Sequence, residues 1–198
     1  LIVNTCGGND EYLLELQARG VPLVLADRPL MKSGLIDTVC SESQKMAAEC
    51  TRLLFSRGYK HVAFFSETMG EISPRKLRCL GYTEAVRELG MEPEIYEIDC
   101  ESSKSGVEGL KAFRAKHPEE RIAVLTSNGT TAQRILTSMK ALGIKPGRDF
   151  GLCTFDDWDW LQISDPGITA VVFDSVDIGA RSARLLLRKM NGDADETP

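Results

Sequence analysis

Apolar and polar positions fall in alternating blocks along this chain. Six short apolar runs stand out: VPLVLAD (21–27), HVAFFS (61–66), IYEID (95–99), RIAVLTS (121–127), FGLCTFD (150–156) and ITAVVFD (168–174). Most are β-branched and apolar at both odd and even positions, the pattern of strands covered on both faces. Between them, apolar residues recur at helical spacing. Met46, Cys50, Leu53 and Leu54 form one stripe before Gly58, and Ala132, Ile135, Leu136, Met139 and Leu142 a second before Gly143. Gly179, Ala183, Leu186, Leu187 and Met190 form a third, closed by Asn191-Gly192. Each stripe is expected to pack into a core rather than to face a partner. After the first strand, Asn9 or Asp10 reads as a helix cap. The repeated strand–helix rhythm predicts an α/β fold with parallel sheets.

In open parallel sheets, ligands bind outside the carboxyl ends of the strands. Asp27 ends VPLVLA, Ser66 ends HVAFF, Thr126-Ser127-Asn128 ends RIAVL and Asp156 ends FGLCTF. These groups are expected to face one crevice. Arg78 lies in the first turns of a helix predicted from Ser73-Pro74, where its guanidinium suits an anion. Taken singly, each is equally readable as a cap, a turn residue or a solvated charge. Taken as a set at one edge, they read as a binding site.

The segment FDDWDW (155–160) leaves three readings open: a carboxylate pair for glycoside hydrolysis using Asp27 and Asp156, a magnesium or calcium site, or a pocket wall. Asp157 and Asp159 look like turn residues and hydroxyl acceptors. Carboxylates and amides that bind hydroxyls, with indole faces over C–H surface, fit a sugar better than a tuned acid.

Composition narrows the classes. The 198 residues carry a net charge of −5, which argues against a nucleic-acid grip by this segment. No apolar run approaches the roughly 20 residues of a membrane helix. The six cysteines (Cys6, Cys40, Cys50, Cys79, Cys100, Cys153) stand singly, as reduced cytosolic thiols used as small apolar residues do. The two histidines, with no clustered thiols, leave little for zinc, so no metal is expected. His61 precedes its strand and His117 lies in a loop, both away from the crevice, and no nucleophile, zinc or phosphate motif is present. A non-enzyme is expected. Asn128-Gly129-Thr130 fits a glycosylation sequon, but nothing else suggests secretion. Leu1-Ile2-Val3 reads as the interior of a strand, so the chain is expected to be a piece whose beginning is missing. The polar tail DADETP reads as the start of a disordered or truncated end.

VPLVLAD, SRGYKHVAFFS, SPRKLRCLGYTEAVRELG, RIAVLTSNGTTAQRILTSMKALGIKPGRDFGLCTFDD and PGITAV with GARSARLLL follow in this order from Leu1 to about Gly192. That succession resembles the effector-binding domain of LacI/GalR-type transcriptional regulators. The resemblance implies a two-lobed, type I periplasmic-binding-protein-like fold, truncated at its N-terminus, that closes on a small-molecule effector between the lobes. Residues 1–38 would form part of the N-terminal lobe, 39–170 the C-terminal lobe, and 171–198 the return to the first lobe and the tail. It further implies a cytoplasmic homodimer without a cofactor, binding operator DNA through an N-terminal helix-turn-helix outside this chain. The family's effector contacts fall on Asp27, closing VPxxxxD, on Arg78 of RCLGY, on Asn128 after the central strand, and on Asp156 of FDD. Three positions depart from the family pattern. Lys104 stands where an aromatic often stacks on the ligand, Phe173-Asp174 replaces Gln-Pro, and Ser41-Glu42 replaces Asp-Asn. FDDWDW is similar to regulators of ketogluconate and related acidic-sugar catabolism, which implies a sugar-acid effector held by Arg78 and Lys104, with Trp158 or Trp160 lining the wall. The alternative is a periplasmic sugar-binding protein of an uptake system.

Overall fold

The computed structural model describes residues 1–8, 10–31, 34–99 and 102–192. Asn9, Cys100 and the DADETP tail, each given a role above, lie outside the described residues. In chain order the elements are β1 (Ile2–Val3), α1 (Asp10–Ala18), β2 (Val24–Ala26), β3 (Thr38–Val39), α2 (Ser43–Ser56), β4 (His61–Glu67), α3 (Ser73–Glu88) and β5 (Glu94–Ile98). They continue with α4 (Ser103–Lys116), β6 (Ile122–Thr126), α5 (Gly129–Ala141), β7 (Phe150–Phe155), α6 (Asp159–Gln162), β8 (Thr169–Val171) and α7 (Ser175–Asn191). Every strand pair is parallel, as the strand–helix rhythm predicts.

The chain divides into two compact units. The smaller takes Leu1–Glu42, Gly70–Pro74 and the chain from Asp174 onward. Its sheet has the order β1-β2-β3, with a core of Leu13, Leu23, Leu25, Leu30 and Ile36. The VPLVLAD run supplies only three strand residues here, because Pro22 has no N–H to give to a ladder. β3 is two residues long, too short to stand out as an apolar run.

In the same unit α7 packs beside β2 and β3, and Lys189 pairs with Asp37. Most of the expected core stripe of α7 turns out to lie outward: Leu187 and Met190 are 57% and 62% exposed, and Gly179 and Ala183 are exposed too, while Leu186 is half-buried. The covered side instead runs through Ile178, Ser182, Leu185 and Lys189. This helix is apolar on more than one face, so periodicity alone does not select the side that meets the sheet.

The larger unit takes Ser43–Met69 and Arg75–Phe173, with a sheet of order β5-β4-β6-β7-β8. Its central strands show why both parities of the sequence are apolar. Val62, Phe64, Ala123, Leu125, Cys153 and Phe155 pack on one face with Ala47, Cys50 and Leu54 of α2 and Tyr82 and Val86 of α3. Ala63, Phe65, Ile122, Val124, Phe150 and Leu152 pack on the other with Leu110 and Phe113 of α4 and Ile135 and Met139 of α5. Each such large apolar side chain contributes about 1.5–3 kcal/mol by leaving water. Cys50 and Cys153 are core residues; the neighbouring thiol pulls Cys50 below the usual thiol range and, together with burial, pushes Cys153 above it. Cys6 and Cys40 are exposed.

The RCLGY segment of α3 has three separate physical duties. Arg78 faces the strand ends, as described below. Gly81 lets two helices touch: a Cβ there would sit 1.9 Å from Gln44 O and 3.1 Å from Ala48 N on α2. The Tyr82 hydroxyl donates to Val62 O at 2.7 Å and accepts from Glu94 N–H at 2.9 Å, tying α3 to β4 and β5. Burial pushes the Tyr82 phenol up, so it remains a neutral donor.

Gly81→Ala is therefore expected to force α2 and α3 apart and to destabilise the protein by about 1–3 kcal/mol, the usual range for overpacking. Urea unfolding of the two proteins checks this; an unchanged midpoint counts against a tight α2–α3 contact.

Candidate functional site

The site of the larger unit lies at the carboxyl ends of β4, β6 and β7, which finish on Glu67, Thr126 and Phe155. The strands are buried along nearly their whole length, so polar chemistry is confined to where they end. Three segments meet there. Ser66-Glu67 closes β4, Ser127-Asn128 joins β6 to α5, and Asp156 to Trp158 joins β7 to α6.

Arg78 reaches these ends from α3. It is only 6% exposed, and its Nη1 donates to Ser127 O at 2.6 Å. Its guanidinium carbon lies 4.3 Å from the centroid of the Phe155 ring and 5.1 Å from that of Phe173, which are themselves stacked. A planar cation over two aromatic faces is held in orientation as well as in place. The departure of Phe173 from the family pattern thus has a local effect, since it gives Arg78 a second ring.

Asn128 caps α5. Its Oδ1 accepts from Thr131 N–H at 2.8 Å, and its Nδ2 donates to Glu67 Oε2 at 2.9 Å. The sequon asparagine therefore has both ends of its carboxamide engaged. Asp156 adopts φ 74°, and its Oδ2 accepts from Gly129 N–H at 3.1 Å, so a carboxylate sits at the positive end of α5. Trp158, 38% exposed, lies against that first turn: a Cβ on Gly129 would meet its indole at 3.0 Å. Trp160 stands edge-on to Trp158 at 6.0 Å, and its Nε1 is buried without a partner among the described residues. Asn128, Asp156 and Trp158 thus gather around one helix N-terminus, with Arg78 joined to the same loop through Ser127.

Glu67 was not read from the sequence, yet it ties this site together. It accepts from Asn128 and pairs with Arg75, whose Nη1 also donates to Thr68 O at 2.9 Å. The apolar run ends at Ser66, but the strand runs one residue further and ends on the acid. Ser66 Oγ is fully buried and finds no partner among the described residues. Lys104 stands apart: on the first turn of α4, its side chain is 81% exposed and lies 3.9 Å from Glu108. Asp27 belongs to the smaller unit, where it follows β2 with φ 68° and lies 4.0 Å from Arg28. Among the described residues, Asp156 and Asp157 gather no third acid, histidine or thiol that would complete a cation site. No described helix is long and apolar enough to cross a membrane.

This site offers one buried oriented cation, carboxylates already engaged as hydrogen-bond acceptors, amide groups and an indole face. Such a set can donate and accept hydrogen bonds and cover apolar C–H surface.

Gly129→Ala is expected to push the Trp158 indole off the α5 N-terminus. Because the chain has just two tryptophans, one ending this loop and the other on the α6 turn that follows, intrinsic fluorescence isolates the effect. An altered emission maximum with little loss of stability is the expected result; an unchanged spectrum contradicts the packing of Trp158 on Gly129.

Comparison with known proteins places this arrangement. A model of the periplasmic binding protein-like domain matches residues 51–198. The HTH-type transcriptional regulator KdgR of Bacillus subtilis is 32% identical over 195 residues, 98% of this chain and 57% of that protein. The HTH-type transcriptional regulator PtxS of Pseudomonas putida is 30% identical over 196 residues, 98% of this chain and 56% of that protein. The chain thus spans a little over half the length of these relatives. Among solved structures, a probable maltose operon transcriptional repressor from Staphylococcus aureus superposes with a TM-score of 0.85 over 98% of this chain and 70% of that one. At 18% identity, that likeness speaks to the fold alone.

Proposed function

Because the chain belongs to the periplasmic binding protein-like domain family, we propose that it is the effector-sensing part of a LacI-type transcriptional repressor. It binds a small sugar-like metabolite and thereby controls operator binding by a DNA-reading domain elsewhere in the protein. The observation that carries this reading is the meeting of Arg78, Asn128 and Asp156 at the carboxyl ends of parallel strands, in a chain whose relatives are HTH-type transcriptional regulators. It is a receptor without turnover, active as a cytoplasmic homodimer, since two-fold operators ask for two-fold readers. For the effector to act, it must bind one conformation more tightly than the other; equal affinity shifts nothing.

The effector we propose is acidic: a keto- or deoxy-aldonate of the ketogluconate kind. Arg78 presents a planar fork that suits a carboxylate, and its two aromatic neighbours keep water away from the charge. Asn128 and Asp156 serve the hydroxyls, and Trp158 covers the C–H surface. Lys104 acts as a second, solvated cation near the β5 end; at 81% exposure it steers an anion more than it holds one.

Calorimetry of ketogluconates and 2-keto-3-deoxygluconate against neutral hexoses tests the proposal. The acids are expected to bind and the hexoses to bind more weakly. Arg78→Ala should reduce acid binding by about 2–5 kcal/mol, the cost of losing one partner of a buried charge pair. Arg78→Lys, which keeps the charge but not the fork, should fall between. Tighter binding of neutral sugars, or acid binding indifferent to Arg78, overturns the acidic effector and leaves the family intact.

A further inference from the structure

The two histidines of the chain, separated in sequence by two strands and two helices, meet at the amino ends of the strands in the larger unit, the edge opposite the site above. His61 opens β4, and His117 caps the C-terminus of α4. Their rings stack with centroids 3.6 Å apart and planes 18° from parallel. A carboxylate attends each: Glu120 Oε2 lies 3.0 Å from His61 Nε2, and Glu94 Oε1 lies 2.5 Å from His117 Nε2. One donor atom from each of His61, His117 and Glu120 falls within 4.8 Å of the others.

We propose that this cluster binds a divalent metal ion of the zinc type, with His61, His117 and Glu120 as ligands and water completing the shell. Zinc takes imidazole nitrogen at about 2.0–2.1 Å and carboxylate oxygen at about 2.0–2.2 Å, so tetrahedral donors stand roughly 3.3 Å apart. The His61–Glu120 pair is already close to that separation. The nearly parallel rings must turn for both lone pairs to converge, and Glu120, with a side chain 46% exposed, is free to follow. Charge favours the exchange: protons on both rings would place like charges face to face, whereas one divalent ion serves both lone pairs and a carboxylate.

The surroundings hold the ligands in place. Arg114 Nη1 donates to the backbone oxygens of His117 at 3.2 Å and Glu120 at 2.9 Å, fixing the turn that carries two of the three. Glu94 is a positioning residue. Its Oε2 takes Lys116 Nζ at 3.0 Å and the Tyr96 hydroxyl at 3.3 Å, and its Oε1 orients the His117 ring, the part a carboxylate plays behind a metal-bound histidine. Lys116 thereby spends its charge on Glu94 and leaves Glu120 to the ion. An ion here would join the start of β4 to the end of α4 and the turn before β6.

Isothermal titration with zinc chloride, and cobalt(II) titration followed by absorption, test the site on the intact chain with a phosphine reductant present. One ion per chain is expected, with cobalt d–d bands and no thiolate-to-cobalt charge-transfer band. Glu120→Ala, an exposed change that keeps the fold, should weaken zinc binding roughly 10–100-fold, and His61→Ala should do so at least as much. Metal-free thermal unfolding of both variants confirms that they fold. No uptake, a thiolate band that assigns the ion to cysteine, or wild-type affinity in folded Glu120→Ala and His61→Ala overturns the proposal.

Discussion

Two-sided burial of parallel strands governs this protein. In β6 and β7 every residue is buried, because α2 and α3 cover one face of the sheet and α4 and α5 the other. A backbone covered in this way satisfies its polar groups within the ladder and has no room for charged side chains along its length. Chemistry is therefore pushed to the two rims. The carboxyl rim collects Glu67, Asn128 and Asp156, and the amino rim collects His61, Glu94 and Glu120. Their positions follow from where the strands stop, and the strands stop where the helices cease to cover them.

Arg78 illustrates how the same sheet orients a side chain that does not belong to it. Its helix cannot slide along the sheet, since Gly81 presses on α2 and the Tyr82 hydroxyl is bound to the backbones of β4 and β5. Three consecutive features of one helix turn thus fix the depth, the direction and the partners of one guanidinium. The contrast with Lys104 is instructive. It stands on the first turn of α4 with its side chain 81% exposed and pairs loosely with Glu108, so no packing fixes its direction.

Much of this was legible in the sequence, for identifiable reasons. Apolar residues at both parities revealed the covered strands, and polar residues just beyond them revealed Asn128 and Asp156, because strand ends are marked locally. Glu67 escaped because the apolar run stops one residue before the strand does. The outward stripe of α7 escaped because Leu187 and Met190 are more apolar than Ser182 and Lys189 on the covered side, and only the sheet decides between the faces. The histidine cluster escaped for a different reason. His61 and His117 are brought together by β4 and β6 pairing in register, His61 opposite Ile122, a relation that no window along the chain contains. What is local in the chain could be read from it, and what depends on strand pairing could not.

The backbone at Asp156 has a consequence for how this loop can change over evolutionary time. With φ at 74°, the position disfavours branched and bulky residues and tolerates glycine, asparagine or aspartate. The Gly129 N–H it caps requires an oxygen acceptor, which removes glycine. Few residues meet both demands at this point, asparagine and aspartate foremost. Two residues on, Trp158 has ordinary extended backbone with φ −94°, so what restricts that position is the packing of its indole and not its backbone.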